Sequence, residues 1–120
     1  MSTVLAVDDT RALRAMLADC LKKGGHEVIL ACDGVEALDQ LRKHKPDMVI
    51  TDLNMPRMNG LDFIEAARRE PEGKALPMLL LTTETAQALK DRAKAVRATG
   101  WLTKPFDPKQ ILSLVDQLAQ

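Results

Sequence analysis

The chain has 120 residues, of which 46% are hydrophobic and 28% charged, a composition typical of one globular domain with its own core. Seventeen basic residues balance seventeen acidic ones, so the net charge gives no support for binding to nucleic acid or to a membrane surface. No apolar stretch approaches the ~18 residues of a membrane span, and the two cysteines lack the spacing of a metal site. We therefore expect a cytoplasmic protein with reduced thiols.

Apolar runs alternate with helical patterns five times along the chain, which indicates repeated βα units and a parallel sheet. The predicted strands are 4–7, 28–31, 48–51, 78–81 and 101–103. The predicted helices are Arg11–Lys23, a second that Asp33 caps and that ends before Pro46, a third from about Gly60, a fourth over about 85–98, and a fifth that begins at Asp107.

Capping residues mark the start of the second and fifth helices. Asp33 is a good N-cap, and Glu36 three residues later completes a capping-box pattern. Asp107 is followed by Pro108, which places proline at the first helical position, and the fifth helix then carries the clearest apolar stripe in the chain. The fourth helix has only a thin apolar stripe.

Four of the predicted strands end in polar groups that suit phosphoryl transfer. These groups are Asp8-Asp9, Asp52, Thr82-Thr83 and Lys104-Pro105. In open α/β sheets, ligands bind outside the carboxyl ends of the strands, so we expect three carboxylates, a hydroxyl and an ammonium to share one crevice. Two carboxylates 4 Å apart repel by about 4 kcal/mol at an effective dielectric of about 20, and Mg²⁺ is the cation that usually relieves this repulsion.

Each of these groups also has a purely structural explanation. An Asp-Asp pair or a threonine can cap a helix, and a lysine at a strand end can simply be solvated. Four such groups at the same edge of one sheet make coincidence a poor explanation.

The segment 52–60, with the sequence DLNMPRMNG, resembles the loop that follows the phosphorylated aspartate of response-regulator receiver domains. The whole chain resembles the single-domain chemotaxis type of receiver, which is called CheY-like. The resemblance implies an α/β, flavodoxin-like (βα)5 fold with a doubly wound, five-stranded parallel sheet of strand order 2-1-3-4-5. It also implies a single receiver domain over residues 1–120, with no output domain.

By this resemblance, Asp52 accepts a phosphoryl group from a phosphohistidine on the phosphotransfer domain of a CheA-like histidine kinase. Lys104 would pair with the phosphoryl group, and Thr82 would donate a hydrogen bond to it in the active state. The peptide bond between Lys104 and Pro105 would be cis. The protein would then be no enzyme in the usual sense, since it catalyses only its own phosphorylation and autodephosphorylation.

The resemblance also assigns the metal ligands and the residues that set the phosphoryl lifetime. Asp9 would bind Mg²⁺ directly, Asp8 mainly through water, Asp52 through its carboxylate and Asn54 through its main-chain carbonyl. Asn54 and Glu84 lie where receivers admit or block the attacking water.

Trp101 aligns with the switch aromatic of the family, which is more often Tyr or Phe, and it would move inward together with Thr82. The alternative is a partly exposed tryptophan at a strand edge with no role in signalling.

The fourth helix carries three cations with the spacing of one helix face, Lys90, Lys94 and Arg97, which predicts a surface for an acidic partner. A merely solvated basic face fits that spacing equally well.

Three functions compete. The first is a phosphorylation switch in chemotaxis, a monomer whose partners include a flagellar motor switch protein or a phosphatase. The second is a phosphate sink or adaptor receiver without a motor target. The third, a Mg²⁺-dependent phosphohydrolase, is a poor fit because such enzymes usually carry a second carboxylate where this chain has Asn54.

Overall fold

In a computed structural model of the chain, which describes residues 2–119, five parallel strands form one sheet in the order β2-β1-β3-β4-β5. The strands are β1 (Thr3–Val7), β2 (Glu27–Ala31), β3 (Met48–Asp52), β4 (Met78–Thr82) and β5 (Gly100–Thr103). The helices are α1 (Arg11–Lys23), α2 (Gly34–His44), α3 (Gly60–Ala67), α4 (Gln87–Ala95) and α5 (Pro108–Leu118). The predicted doubly wound fold and its strand order are confirmed.

Each face of the sheet has its own aliphatic core, because successive side chains of a strand point to opposite faces. Leu5 and Val7 face one core, which α2, α3 and α4 cover, and Phe63 is its largest fully buried side chain. Val4 and Ala6 face the other core, which α1 and α5 cover. β3 and β4 are buried along their whole length, so the central strands carry their terminal residues, Asp52 and Thr82, into a buried position. Within residues 2–119, no helix has the length and apolarity needed to cross a bilayer.

The predicted caps of α2 and α5 are found in the structure. The Glu36 N–H donates to Asp33 Oδ1 at 2.8 Å, and the Lys109 N–H donates to Asp107 Oδ1 at 3.0 Å. The Glu36 carboxylate accepts from the N–H of Cys32, one residue before the cap, at 2.6 Å. The capping box is therefore offset by one residue from the standard pattern.

The predicted range of the fourth helix is wrong at both ends, since α4 runs only over Gln87–Ala95. Its N-cap is Ala86, which has no side-chain acceptor for the first helical N–H groups. Beyond its C-terminus, Arg97 adopts a left-handed conformation with φ of 64°, which no helix can continue. Ala93 is the one residue of the helix that the sheet buries, so tertiary packing does little to lengthen it.

Gly60 lets α3 begin directly against the end of β3. A Cβ atom at this position would lie 2.2 Å from the Asp52 carbonyl oxygen, and the Gly60 N–H donates to the Leu53 carbonyl at 2.8 Å. The chain can turn this tightly after Asp52 only because residue 60 has no side chain.

We expect Gly60→Ala to lower the free energy of unfolding by about 2 kcal/mol, because the backbone around Asp52 must shift to accept the methyl group. Gly100→Ala is the matched control, since its Cβ would meet Leu79 at an ordinary 3.4 Å. Urea denaturation of both variants measures the difference. Equal stabilities for the two variants would contradict the close approach at Gly60.

Candidate functional site

The strand register brings the predicted site residues to one edge of the sheet. Val7 of β1 lies beside Thr51 of β3, so Asp8 and Asp52 follow side by side. Thr82 of β4 pairs with Thr103 of β5, directly before Lys104. The crevice lies where the chain order reverses, since β2 and β3 flank β1 on opposite sides.

Lys104 lies between two of the carboxylates. Its Nζ atom is 2.6 Å from Asp52 Oδ1 and 3.6 Å from Asp8 Oδ2, and only 18% of its side chain is exposed. The peptide bond from Lys104 to Pro105 is cis, as the resemblance implies. The ammonium group is therefore held at the Asp52 carboxylate rather than in solvent.

Asp8, Asp9 and Asp52 each offer one carboxylate oxygen, and these oxygens lie within 4.8 Å of one another. Asp8 is fully buried. Its Oδ1 accepts from the Thr10 N–H at 2.8 Å, whereas its Oδ2 accepts no hydrogen bond from any residue in the range 2–119. Burial raises the pKa of Asp8 above its ordinary value, and the charge of Asp52 raises it further. A buried carboxylate oxygen that accepts no hydrogen bond, beside two more carboxylates, fits a hard divalent cation such as Mg²⁺.

Thr82 is buried, and its hydroxyl accepts a hydrogen bond from the Glu84 N–H at 2.9 Å. The hydroxyl proton remains available for donation. Glu84 and Asn54 are both exposed and follow directly after β4 and β3, so the two residues lie on loops at the rim of the crevice.

Trp101 is on β5, the edge strand, and its side chain is 36% exposed. The Nζ atom of Lys90 lies 5.8 Å from the centroid of the indole ring, a cation–π contact. This position agrees with a partly exposed strand-edge tryptophan, and the switch role of Trp101 stays a prediction.

The expected basic face of the fourth helix is incomplete. Lys90 and Lys94 lie on α4, but Arg97 lies beyond its end with a left-handed backbone. The Arg97 carbonyl instead accepts hydrogen bonds from the Arg68 guanidinium at 2.7 and 3.2 Å. The prediction that the three cations share one helix face is therefore wrong, because the helix ends too early.

The sequence reasoning missed two arginines at the site. Arg14 of α1 donates to the main-chain carbonyl of Asp8 at 2.7 Å. Arg57, in the loop after β3, pairs with Asp33, which the sequence identified only as a helix cap. Arg57 stands within the DLNMPRMNG segment, but nothing in that segment indicates which helix its side chain contacts.

We expect Asp8→Asn to raise the free energy of unfolding by about 1 kcal/mol at neutral pH in the absence of divalent cations, because it removes one of three crowded charges. The raised pKa of Asp8 means that ionised Asp8 destabilises the folded state. This cost is fully present above the raised pKa and disappears as the pH falls towards the ordinary value of 3.8. The advantage of the variant should therefore shrink on acidification.

Urea denaturation with a chelator present measures this advantage, and Asp39→Asn is the control, because the exposed Asp39 forms an ion pair with Lys43 on the same helix. Excess Mg²⁺ should reverse the order of stability by stabilising the parent chain more. A variant less stable than the parent chain without cations would contradict the crowding of charge.

Comparison with protein families matches residues 4–116 to the response regulator receiver domain. Response regulator MprA of Mycobacterium leprae is 36% identical over 115 residues, which make up 96% of this chain and 50% of that protein. The chain thus spans about half the length of several relatives that it matches.

Other relatives match along most of their length. A chemotaxis protein CheY homolog of Campylobacter jejuni is 35% identical over 108 residues, which cover 88% of this chain and 83% of that protein. The structure of chemotaxis protein CheY4 of Vibrio cholerae superposes with a TM-score of 0.94 at 45% identity, and 98% of both chains is covered. This chain belongs to the family of response regulator receiver domains.

Proposed function

We propose that this chain is a phosphorylation switch in which Asp52 accepts a phosphoryl group from a phosphohistidine on a histidine kinase. One observation carries the proposal: Lys104 Nζ lies 2.6 Å from Asp52 Oδ1 within a cluster of three carboxylates. Phosphoryl transfer needs little beyond a positioned nucleophile and positive charge at the phosphoryl oxygens. Asp52 supplies the nucleophile, and Lys104 supplies part of the positive charge.

Asp9 would hold Mg²⁺ directly, Asp8 through water, and Asn54 through its main-chain carbonyl. Bound there, Mg²⁺ supplies further positive charge for the phosphoryl oxygens. The fit rests on Asp8 Oδ2, which accepts no hydrogen bond, and on the oxygen ligands that Mg²⁺ prefers.

In the transfer itself, the Asp52 carboxylate attacks phosphorus as the bond from phosphorus to the donor imidazole breaks. The imidazole nitrogen keeps the electron pair, and an acyl phosphate forms on Asp52. Lys104 then moves from the carboxylate to a phosphoryl oxygen, and the Thr82 hydroxyl donates to another. Water later hydrolyses the acyl phosphate, at a rate that Asn54 and Glu84 set at the rim. The chain thus catalyses only its own phosphorylation and autodephosphorylation.

We place this switch in chemotaxis, in the cytoplasm, as a monomer. The relatives named for chemotaxis that match along most of their length support this assignment. Its upstream partner is then a CheA-like kinase, and its downstream partner a flagellar motor switch protein or a phosphatase.

The partner surface we propose consists of Trp101, Lys90 and Lys94. The indole ring lies partly exposed on the edge strand, the Lys90 Nζ atom is 5.8 Å from its centroid, and Lys94 lies one turn further along α4. A partner segment with acidic side chains and an apolar anchor suits such a surface, and its association would be sensitive to salt. Inward movement of Trp101 in the phosphorylated state would then change the shape that this partner contacts.

We expect acetyl phosphate with Mg²⁺ to produce a base-labile adduct on Asp52 that mass spectrometry detects as one added phosphoryl group. Asp52→Asn should abolish the adduct, because the amide cannot form an acyl phosphate, and the circular dichroism spectrum should stay unchanged. Asp62→Asn, which alters an exposed carboxylate on α3, is the control that should still be labelled. Failure of the parent chain to form the adduct would refute the proposal.

We expect phosphorylation to tighten binding to a flagellar motor switch protein about tenfold, a size typical of allosteric coupling. Lys94→Gln should lower the association rate and weaken its dependence on salt, because a charge that steers the partner is lost. Lys43→Gln on α2 is the control. Surface plasmon resonance with and without acetyl phosphate measures both effects, and equal affinities of the two phosphorylation states would favour a phosphate sink.

A further inference from the structure

The structure contains two arginine–carboxylate pairs of the same geometry at opposite ends of the sheet. Arg57 donates from Nε and Nη2 to Asp33 Oδ2, at 2.8 and 2.5 Å, near the carboxyl ends of the strands. Arg42 donates from the same two nitrogens to Glu70 Oε1, near the amino ends of the strands. The first pair adjoins the candidate site, and the second does not.

The backbone of Arg57 is in the left-handed region, with φ of 66°. A residue with a Cβ atom adopts this conformation at a cost, and such residues are often held in place at functional sites. In this loop the Arg57 guanidinium holds the backbone in place, because it binds the carboxylate of Asp33, a side chain that is only 4% exposed.

Asp33 is itself fixed by α2. Its Oδ1 accepts from the Glu36 N–H at the start of that helix, and its Oδ2 faces Arg57. Burial alone would raise the pKa of Asp33, but the Glu36 N–H and Arg57 outweigh burial, so the pKa lies below its ordinary value. Asp33 therefore remains ionised and paired at neutral pH.

The main chain of the same loop also docks on α2. The Gly34 N–H donates to the Met58 carbonyl at 3.2 Å, and a Cβ atom at Gly34 would lie 2.6 Å from the Met58 side chain. The other end of the loop is tied to the sheet, because the Leu53 N–H donates to the Leu81 carbonyl at 3.1 Å. Asn54 lies between these two attachments, three residues before Arg57.

We propose that Asp33 and Arg57 form a positioning pair that sets the affinity of the site for Mg²⁺, by holding the loop in the conformation that presents the Asn54 carbonyl. This inference rests on the proposed function, which makes that carbonyl a ligand. Groups that orient metal ligands commonly change metal affinity by about 10–100-fold when they are removed. An exposed ion pair with no such role would affect neither the metal nor its ligands.

The test is Mg²⁺ binding measured by isothermal titration calorimetry without a phosphate donor. Arg57→Gln and Asp33→Asn should each weaken binding about tenfold, and the double variant should lose no more than either single one, because one interaction is removed in all three. Asn at position 33 still caps α2, since Asn and Asp are equivalent N-caps. Arg42→Gln breaks the pair of the same geometry at the far end and should bind Mg²⁺ as the parent chain does.

The Arg57→Gly variant tests whether a loss of Mg²⁺ affinity is caused only by a less stable fold. Glycine adopts the left-handed backbone freely, so this variant should unfold at the same urea concentration as Arg57→Gln or a higher one, and yet bind Mg²⁺ about tenfold more weakly than the parent chain. The inference would be overturned if Arg57→Gln or Arg57→Gly bound Mg²⁺ as tightly as the parent chain does. It would also be overturned if the loss of affinity in the double variant were the product of the two single losses, or if Arg42→Gln lost as much affinity as Arg57→Gln. These outcomes leave the proposed function intact, because labelling of Asp52 in the parent chain tests that function separately.

Discussion

Three carboxylates meet one lysine at the edge of the sheet, and the rest of the fold must hold this concentration of charge together. The oxygens of Asp8, Asp9 and Asp52 lie within 4.8 Å of one another, and the Lys104 ammonium offsets only part of their repulsion. Such an arrangement persists because buried parallel strands with aliphatic cores on both faces force their carboxyl ends to the same edge. The packing of the sheet thus sustains a site whose net negative charge favours a divalent cation.

The fold was predictable where local patterns and tertiary packing agree. The strands are short aliphatic runs, and α5 has both a capping aspartate and a strong apolar stripe, so each was found from the sequence. The fourth helix was also found, but its ends were not, because they depend on the missing cap at Ala86 and on the left-handed backbone of Arg97. The Arg97 carbonyl accepts a hydrogen bond from Arg68, which directly follows α3. A thin apolar stripe cannot indicate where such a helix ends.

The convergence of the candidate site was predictable for a related reason. Residues that follow parallel strands lie close together because the strands end at the same edge of the sheet, and the sequence shows which residues follow each strand. The pair of Asp33 and Arg57 depends instead on a loop crossing to a helix 24 positions away in the chain. No spacing in the sequence links the two residues, because a loop side chain such as that of Arg57 follows no period. Contacts of this kind need coordinates, and they are the contacts that orient the loop after Asp52.

The contacts of Thr82 and Trp101, the two residues proposed to switch, have energies that one phosphoryl group could match. The Thr82 hydroxyl accepts a hydrogen bond from the Glu84 N–H, worth about 0.5–1.5 kcal/mol net, and Trp101 makes an exposed cation–π contact with Lys90, worth about 0.5–1 kcal/mol. A hydrogen bond from Thr82 to a charged phosphoryl oxygen contributes about 1.5–3 kcal/mol. The gain and the losses are therefore of similar size, so phosphorylation would shift a population between two conformers rather than force one of them. If Trp101 acts in this switch, Lys90 would help to set the balance, because a change that strengthens its contact with the indole ring would favour the conformer in which the ring is partly exposed.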